Sequence, residues 1–561
     1  MNETIRISRN AQITWRHGQT ATACCRNCGH AGEMALVLEE DFKPPRKHFL
    51  INLLRCPACT ACFTDIVPDL DYGDNALVEL GLPAYLAQVG AGLWPIAAQL
   101  ARIDKPAGAR LLEIGSGYGF GLDIGVHGLG WQGVGYDPSP FGAFGRRELG
   151  LDLRADYFTE AQLGAPWDVI AATELIEHLP DPPAYLRLMR KTIAPDGVML
   201  LTTPDAATIT PGQSTGKLVS ALAVGAHLVL QTGESLTQAL HAAGFAHVRI
   251  MRDETGLIAY ASPAPLALRE GAGRGIYRAY LAKRAGETAL GTDTQLGFAG
   301  RGLFDATIDG DYDAADAAWA AFTAGVVARF GRMPEALPEA ALQAKLPELS
   351  ALMPLGLGQA LFARAMSRLA RGQARPGLQA MFSLSAQAAR ALCQAMEQIS
   401  QRDPFAENIA ALSQREALLC AAEAGDAAAL PALLAQGEVA AAWRGFVGLV
   451  NAGRREEAQA LRAAGLGALP PEGLELGLRQ DGAFTAGMLA LQSQDFPRAV
   501  SAFAALRLLL PEAEHPLRWP GLRGEIIGLF GLERGAEAVA LLRKIVALHG
   551  GAPEDLLQHL G

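Results

Sequence analysis

Short apolar runs punctuated by turn residues fill the stretch from residue 110 to 263, and beyond it apolar positions recur at helical spacing. Leu111, Leu112 and Ile114 read as an interior parallel strand, which breaks into a turn carrying Gly115, Gly117 and Gly119. Phe120 to His127 have helical spacing, giving the order strand, glycine turn, helix. Similar runs predict a strand within 131–137 ending at Asp137, a third within 151–158 and a fourth from Trp167. A fifth follows the turn Pro195-Asp196-Gly197. Glu234 to Ala243 are expected to be helical, stopped by Gly244. Alternating strands and helices predict an α/β fold around a parallel sheet.

From about Pro263 the composition shifts to Ala, Leu, Gln, Glu and Arg, and strand-like runs nearly vanish, so residues 264–561 read as an all-α domain. Residues 483–511 resemble one tetratricopeptide-type helical hairpin, with Gly487, Phe496, Ala499, Phe503 and Pro511 at the expected offsets. Echoes at 310–319, 422–430, 451–461 and 532–542 are irregularly spaced and suggest degenerate stacked helix pairs. Such a half offers a surface for a protein partner, for self-association or for a large acceptor; the plainer reading is a helical scaffold.

At 561 residues the chain is too long for one domain, and its apolar half and 19% charged residues are ordinary for a globular protein. A net charge of −10 argues against bulk nucleic-acid binding. The first ten residues lack the pattern of a signal peptide, and the most apolar span, Leu218 to Leu230, is too short for a bilayer. No transmembrane segment and a cytoplasmic location are therefore expected. The run at 212–218 imitates a phosphate-binding loop, but it is one residue short and has Leu218 where magnesium needs a hydroxyl, so it reads as a loop.

Six of the eight cysteines lie in the first 62 residues, at 24, 25, 28, 56, 59 and 62. Two CxxC pairs separated by 27 residues have the spacing of a zinc ribbon. The matched pairs Cys25, Cys28, Cys56 and Cys59 are the expected ligands, with Cys24 and Cys62 as alternates. A closed four-thiolate site would be structural. Residues 1–75 are accordingly read as a zinc-ribbon-like segment.

The glycine turn fails the dinucleotide fingerprint, because Phe120 stands where its third glycine belongs. It matches the E/DxGxGxG pattern, and here the chain resembles the class I S-adenosylmethionine (SAM)-dependent methyltransferases, in particular the group containing ubiquinone-biosynthesis and sugar O-methyltransferases. The resemblance covers roughly residues 80 to 263 and implies a Rossmann-like seven-stranded sheet over 76–263. It further implies cofactor contacts from Glu113, Gly115, Ser116, Gly117, Tyr118, Gly119, Asp137, Pro138, Asp156, Tyr157, Thr173 and Glu174. Asp137 would accept hydrogen bonds from the ribose hydroxyls, and the residues after the third strand would meet adenine. Similar ribbons precede this domain in many relatives.

The segment at 167–182 resembles the family's fourth-strand motif, whose end supplies the catalytic candidates. On a helical turn Glu174 would lie beside both Glu177 and His178, and with His227 they make two carboxylates and two imidazoles. A histidine, His178 or His227, would serve as general base; alternatively the four would hold a divalent cation such as Mg, Mn or Fe, as in some relatives. The expected activity is SAM-dependent O-methylation of a hydroxylated acceptor, a sugar or glycan or a quinol-like small molecule. The alternative is a SAM-binding assembly factor whose helical half recruits partners.

Overall fold

The computed structural model describes residues 3–8, 10–43, 47–69, 93–253, 256–271, 273–399, 401–510 and 515–560. The expected boundary at 75/76 and Pro511 lie outside the described residues. The chain forms two compact units, Met1–Ala360 with Gln394–Phe405, and Leu361–Cys393 with Ala406–Gly561.

The first unit contains the strands β1 (Thr4–Ser8), β2 (Ala11–Trp15), β3 (Thr20–Cys24), β4 (Ala31–Phe42), β5 (Phe49–Arg55), β6 (Cys62–Thr64), β7 (Arg110–Ile114), β8 (Gln132–Tyr136), β9 (Leu153–Arg154), β10 (Trp167–Thr173), β11 (Ile193–Thr203), β12 (Val229–Leu230), β13 (His247–Arg252) and β14 (Leu257–Ser262). They make two sheets. One is seven-stranded in the order β13-β14-β11-β10-β7-β8-β9, parallel from β9 to β11, with β14 antiparallel beside β11. The chain runs outward from β7 to β9 and then returns to β10 on the other side of β7. That reversal opens a crevice at the carboxyl ends of β7 and β10, the place where open α/β sheets bind ligands.

Alternation along the strands builds a core on each face. Leu111, Val169 and Leu200 pack with Leu100, Leu122 and Tyr280 on one side. Leu112, Ile170 and Leu201 pack with Leu186, Met189 and Leu236 on the other. The Pro195-Asp196-Gly197 turn proves to lie inside β11: the register jumps from Trp167↔Ile193 to Val169↔Val198, so these residues bulge without ending the strand.

The helical composition does begin after β14, yet its first helix, Arg274–Glu287, belongs to the core of the sheet. Tyr280 donates to Asp123 at 2.6 Å, and the Arg284 guanidinium reaches the same carboxylate at 2.9 Å with both side chains buried. The helix predicted over 120–127 is α-helical at Phe120–Asp123 and widens to a π turn at Ile124–Gly128. The loop expected at 212–218 is in part helix, since Thr215–Leu222 is α-helical. Among the described residues no single helix is long and apolar enough to cross a membrane.

The second sheet holds the cysteine-rich segment in the order β1-β2-β4-β5-β6-β12, with β3 on β4, every pairing antiparallel. It is larger than the small ribbon the cysteine spacing suggested. Its last strand, β12, comes from the segment between the helices Thr215–Leu222 and Gly233–Ala242.

In the second unit Leu476–Gln492 and Phe496–Leu509 form a helical hairpin, with Ala499 and Phe503 buried and Gly487 letting the Phe503 ring lie against its Cα. The irregular echoes share one turn chemistry. At Gly425, Gly453, Gln494 and Glu533, and at Gly310 of the first unit, a left-handed residue follows a helix. In each case the next amide bonds the carbonyl five residues back at 2.9 Å. Gln494 and Glu533 occupy a conformation that side chains resist by about 1–2 kcal/mol. Each replacement by glycine is expected to stabilise by about 0.5–1 kcal/mol after the flexibility glycine adds to the unfolded chain. A melting temperature that does not rise in the double variant would contradict this.

Candidate active site

The glycine turn leaves β7 with Gly115, Gly117 and Gly119 at φ 70°, 52° and 86°, a region that favours glycine. A Cβ on Gly119 would lie 2.7 Å from the Leu153 side chain, so the turn is pressed against β9. Asp137, one residue past β8, closes it. Its Oδ2 accepts from the Gly117 amide at 2.7 Å, and its Oδ1 accepts from the Ser139 amide at 2.8 Å and from the Ser139 hydroxyl. The amides of Gly115, Ser116, Gly117 and Gly119 are all spent on protein acceptors. A loop built so offers no row of free donors to a diphosphate, unlike the turn of a dinucleotide site.

The expected cofactor residues divide by exposure. Gly115, Ser116, Gly117, Pro138 and Thr173 line the open edge, whereas Tyr118 is buried with its ring edge-on to Phe141 at 5.0 Å. Asp156 and Tyr157 follow β9 at the surface, Tyr157 with its side chain in solvent. Glu113 lies beneath the loop, 2% exposed, its Oε2 accepting from the Leu122 amide at 2.9 Å. Any influence it has on a ligand passes through the loop.

Burial pushes the Glu113 carboxyl up to about 8. A raised folded value means stability that is complete below the ordinary 4.5 and is lost as pH climbs towards 8. Glu113→Gln should therefore gain on the parent protein between pH 5 and 8, by on the order of 1 kcal/mol per pH unit. A difference in melting temperature that is flat across this range would refute it.

The catalytic candidates follow β10, but the helical turn expected to align them does not form at Glu174. That residue takes φ 52°, and only Ile176–His178 make a single 3-10 turn. The two carboxylates then diverge to successive threonines of β11, whose side chains point to opposite faces. Thr202 donates to Glu174 at 2.8 Å and Thr203 to Glu177 at 2.9 Å. Glu174 remains at the exposed rim, and Glu177 is fully buried.

What the fold does bring together is Glu177, His178 and His227, whose ligand-type atoms lie within 4.8 Å of one another. His178 Nδ1 donates to the Ala226 carbonyl at 3.1 Å and His227 Nδ1 to the Ala221 carbonyl at 2.8 Å. A carbonyl only accepts, so both rings carry their proton on Nδ1 and leave Nε2 as a bare lone pair. The rings meet edge to face at 4.7 Å. Glu177 Oε1 has no hydrogen-bond partner, and His227 Nε2 is 3.9 Å away. Burial, and then the neighbouring Glu174 charge, push Glu177 up to about 8, while burial pulls His178 below the ordinary imidazole value and His227 down to about 4. At neutral pH both imidazoles are bases in waiting.

The four expected thiols also converge. Cys25 and Cys59 Sγ are 3.7 Å apart, as are Cys28 and Cys56, and all four lie within 4.8 Å. The tetrahedral edge for zinc–sulfur bonds of ~2.3 Å is about 3.8 Å. The two turns match bond for bond: Cys25 and Cys56 amides reach His30 and Ala61 carbonyls, and Gly29 and Thr60 amides return to Cys25 and Cys56. Gly29 and Thr60 share the left-handed conformation. Cys24 and Cys62 stand outside the cluster. The hydrogen bond from Cys25 holds the Cys59 thiol below its ordinary range.

A family model for a methyltransferase domain matches residues 93–250. The chain carries a methyltransferase domain. A probable S-adenosylmethionine-dependent methyltransferase of Mycolicibacterium smegmatis is 31% identical over 112 residues, 19% of this chain and 43% of its own. A ubiquinone biosynthesis O-methyltransferase of Caulobacter vibrioides is 35% identical over 119 residues, 18% of this chain and 47% of its own. The chain thus spans less than half the length of these relatives. A mitomycin 7-O-methyltransferase structure aligns at 20% identity and TM-score 0.26 over 30% of this chain and 52% of that one.

The methyltransferase domain also depends on residues that the motifs did not single out. Ser139 steadies Asp137, Thr202 and Thr203 part the two glutamates, and Asn27 and Gln231 join the cysteine turns to the segment of His227. Ser139 acts within its own turn, whereas the others act through tertiary contacts, for which one sequence holds no periodic signal.

Proposed function

We propose that the methyltransferase domain binds SAM at the β7 and β8 ends and O-methylates a hydroxyl-bearing acceptor, quinol-like or a sugar, brought against His178. The observation that carries this reading is the pairing of a glycine turn whose amides are internally spent with a buried acid, Asp137, at its mouth. Such a site suits a nucleoside with hydroxyls to donate and no phosphate to cradle.

Methyl transfer is an in-line displacement at an activated sulfonium carbon, so alignment of nucleophile and methyl group is the main task. The acceptor hydroxyl must also lose its proton, and the bare Nε2 of His178 can take it while Nδ1–H holds the ring against Ala226. His227 braces that ring from behind. A second reading rests on the orphaned Glu177 Oε1 and the two bare Nε2 atoms: these three residues would hold a divalent cation, which would lower the hydroxyl's pKa. The four thiols of Cys25, Cys28, Cys56 and Cys59 fit structural zinc.

The test is calorimetry with S-adenosylhomocysteine, followed by mass spectrometry of extracts from cells lacking the protein, which should contain a species lighter by one methylene. Binding with no altered metabolite would favour the assembly-factor reading, and absence of binding would end the methyltransferase one. For the cation, activity must vanish in chelator and return with magnesium, manganese or iron.

A further inference from the structure

The cysteine-rich sheet and the acceptor half of the site share a backbone. β12 completes that sheet by pairing Val229 with Phe63 and Leu230 with Cys62. The residue before it, Leu228, sits between two structures: its amide donates to the Glu177 carbonyl at 2.6 Å, and its carbonyl accepts from the Thr64 amide at 2.9 Å. His227, one residue earlier, completes the cluster with Glu177 and His178. One short segment therefore carries a catalytic candidate and a strand of the thiol-bearing sheet.

Both cysteine turns reach this segment through side chains. Asn27, inside the first turn, is 4% exposed; its Oδ1 accepts from Gln231 Nε2 at 2.9 Å, and its amide nitrogen lies 3.6 Å from Cys59 Sγ. Gln231 is fully buried, with its own Oε1 receiving the Ser235 hydroxyl at 2.7 Å. Thr60, ending the second turn, bonds the Thr232 hydroxyl at 2.6 Å. Thr232 in turn caps the helix Gly233–Ala242. Asn27 and Gln231 are both buried, so moving the thiols leaves this pair with polar groups that are costly to leave unpaired.

We infer that the cysteine-rich sheet is the positioning frame of the acceptor half of the site, and that Asn27 and Gln231 transmit the metal occupancy of the four-thiol cluster to Leu228, His227 and Glu177. The inference rests on the methyltransferase reading for what the site does, and on geometry alone for the coupling. Zinc would replace thiol protons at Cys25, Cys28, Cys56 and Cys59 and draw the two turns into one rigid unit. Asn27 would then hold its side chain between a metal-bound sulfur and Gln231. With the thiols protonated, only the weak S–H contacts and the Asn27 N–H···S contact join the turns. Asn27 and Gln231 touch no reacting atom and are positioning residues.

Amide exchange read by mass spectrometry on the full chain tests this, comparing zinc-loaded protein, protein stripped by chelator, and zinc-loaded Asn27→Ala. Stripping and the Asn27 variant should each speed exchange across 226–232 and 174–179 at least tenfold and leave 111–119 unchanged. Gln231→Ala severs the same link from the other side and should repeat the pattern. Zinc content near one per chain in both variants shows that the cluster itself survived. Failure to bind one zinc, unchanged exchange at 226–232, or equal acceleration at 111–119 each overturns the coupling. Homocysteine-adduct binding is read separately: if S-adenosylhomocysteine does not bind the parent protein, the methyltransferase reading falls whatever the exchange shows.

Discussion

Asp137→Ala is expected to weaken S-adenosylhomocysteine binding by about 100-fold, a loss on the order of 3 kcal/mol. The carboxylate performs two tasks that fail together. It organises the loop by accepting from Gly117 and Ser139, and in the proposed complex its oxygens would also accept from the ribose hydroxyls. Hydrogen bonds to a charged acceptor contribute about 1.5–3 kcal/mol each, and two ribose hydroxyls would lose theirs. The loop term appears separately, as a fall in the melting temperature of the ligand-free protein. Asp137→Asn sharpens the test, because an amide keeps one acceptor oxygen and must turn its NH2 towards either the Gly117 or the Ser139 amide. It should rescue little of the affinity. Ser139→Ala removes a single hydroxyl and should leave binding within a few-fold of the parent. Calorimetry that finds Asp137→Ala unchanged would move the cofactor elsewhere.

Asp137 was legible because it sits in a recognisable order of local signals. Three glycines at fixed spacing after one short apolar strand, and an acid just past the next strand, each specify local backbone, and the seven-stranded sheet follows from alternating strands and helices. The acceptor half was legible only as a set of residue types. Its geometry depends on Glu174 leaving helical φ and on Thr202 and Thr203 pointing to opposite faces, so two carboxylates three residues apart do not meet. The pairing of β6 with β12 joins residues more than 160 positions apart, and no periodicity within either strand announces it. The same holds for Asn27 and Gln231, ordinary polar residues in sequence that become buried partners only when β12 joins the cysteine-rich sheet. The helical half behaved in between. Its echoes share a helix-ending turn, in which Gln494 and Glu533 stand where the others have glycine, and their spacing is irregular.

His178→Ala is expected to slow methyl transfer by 100- to 10,000-fold while leaving S-adenosylhomocysteine affinity within a few-fold, the usual range for loss of a general base. Tritiated SAM and extract from cells lacking the protein supply donor and acceptor. Because burial lowers His178, its neutral form persists below the ordinary 6.5, so the rate should be flat above that pH and decline only on the acid side of it. Stability moves in the same window for a different reason. His227, down at about 4 when folded, is neutral where the unfolded chain already binds a proton, so its own contribution to stability is complete above 6.5 and is lost as pH falls towards 4, by about 1.4 kcal/mol per unit. The rate must therefore be read beside the melting temperature at each pH. Added imidazole separates the two chemistries of the site. If Nε2 of His178 takes the proton, small imidazole entering the space left by the side chain restores part of the rate to His178→Ala. If His178 instead ligates a cation, imidazole acts only together with the divalent ion and the loss follows metal content. A variant with parental turnover would remove His178 from the chemistry altogether and, with Glu177 and His227 both buried, leave Glu174 at the exposed rim as the candidate that meets the acceptor.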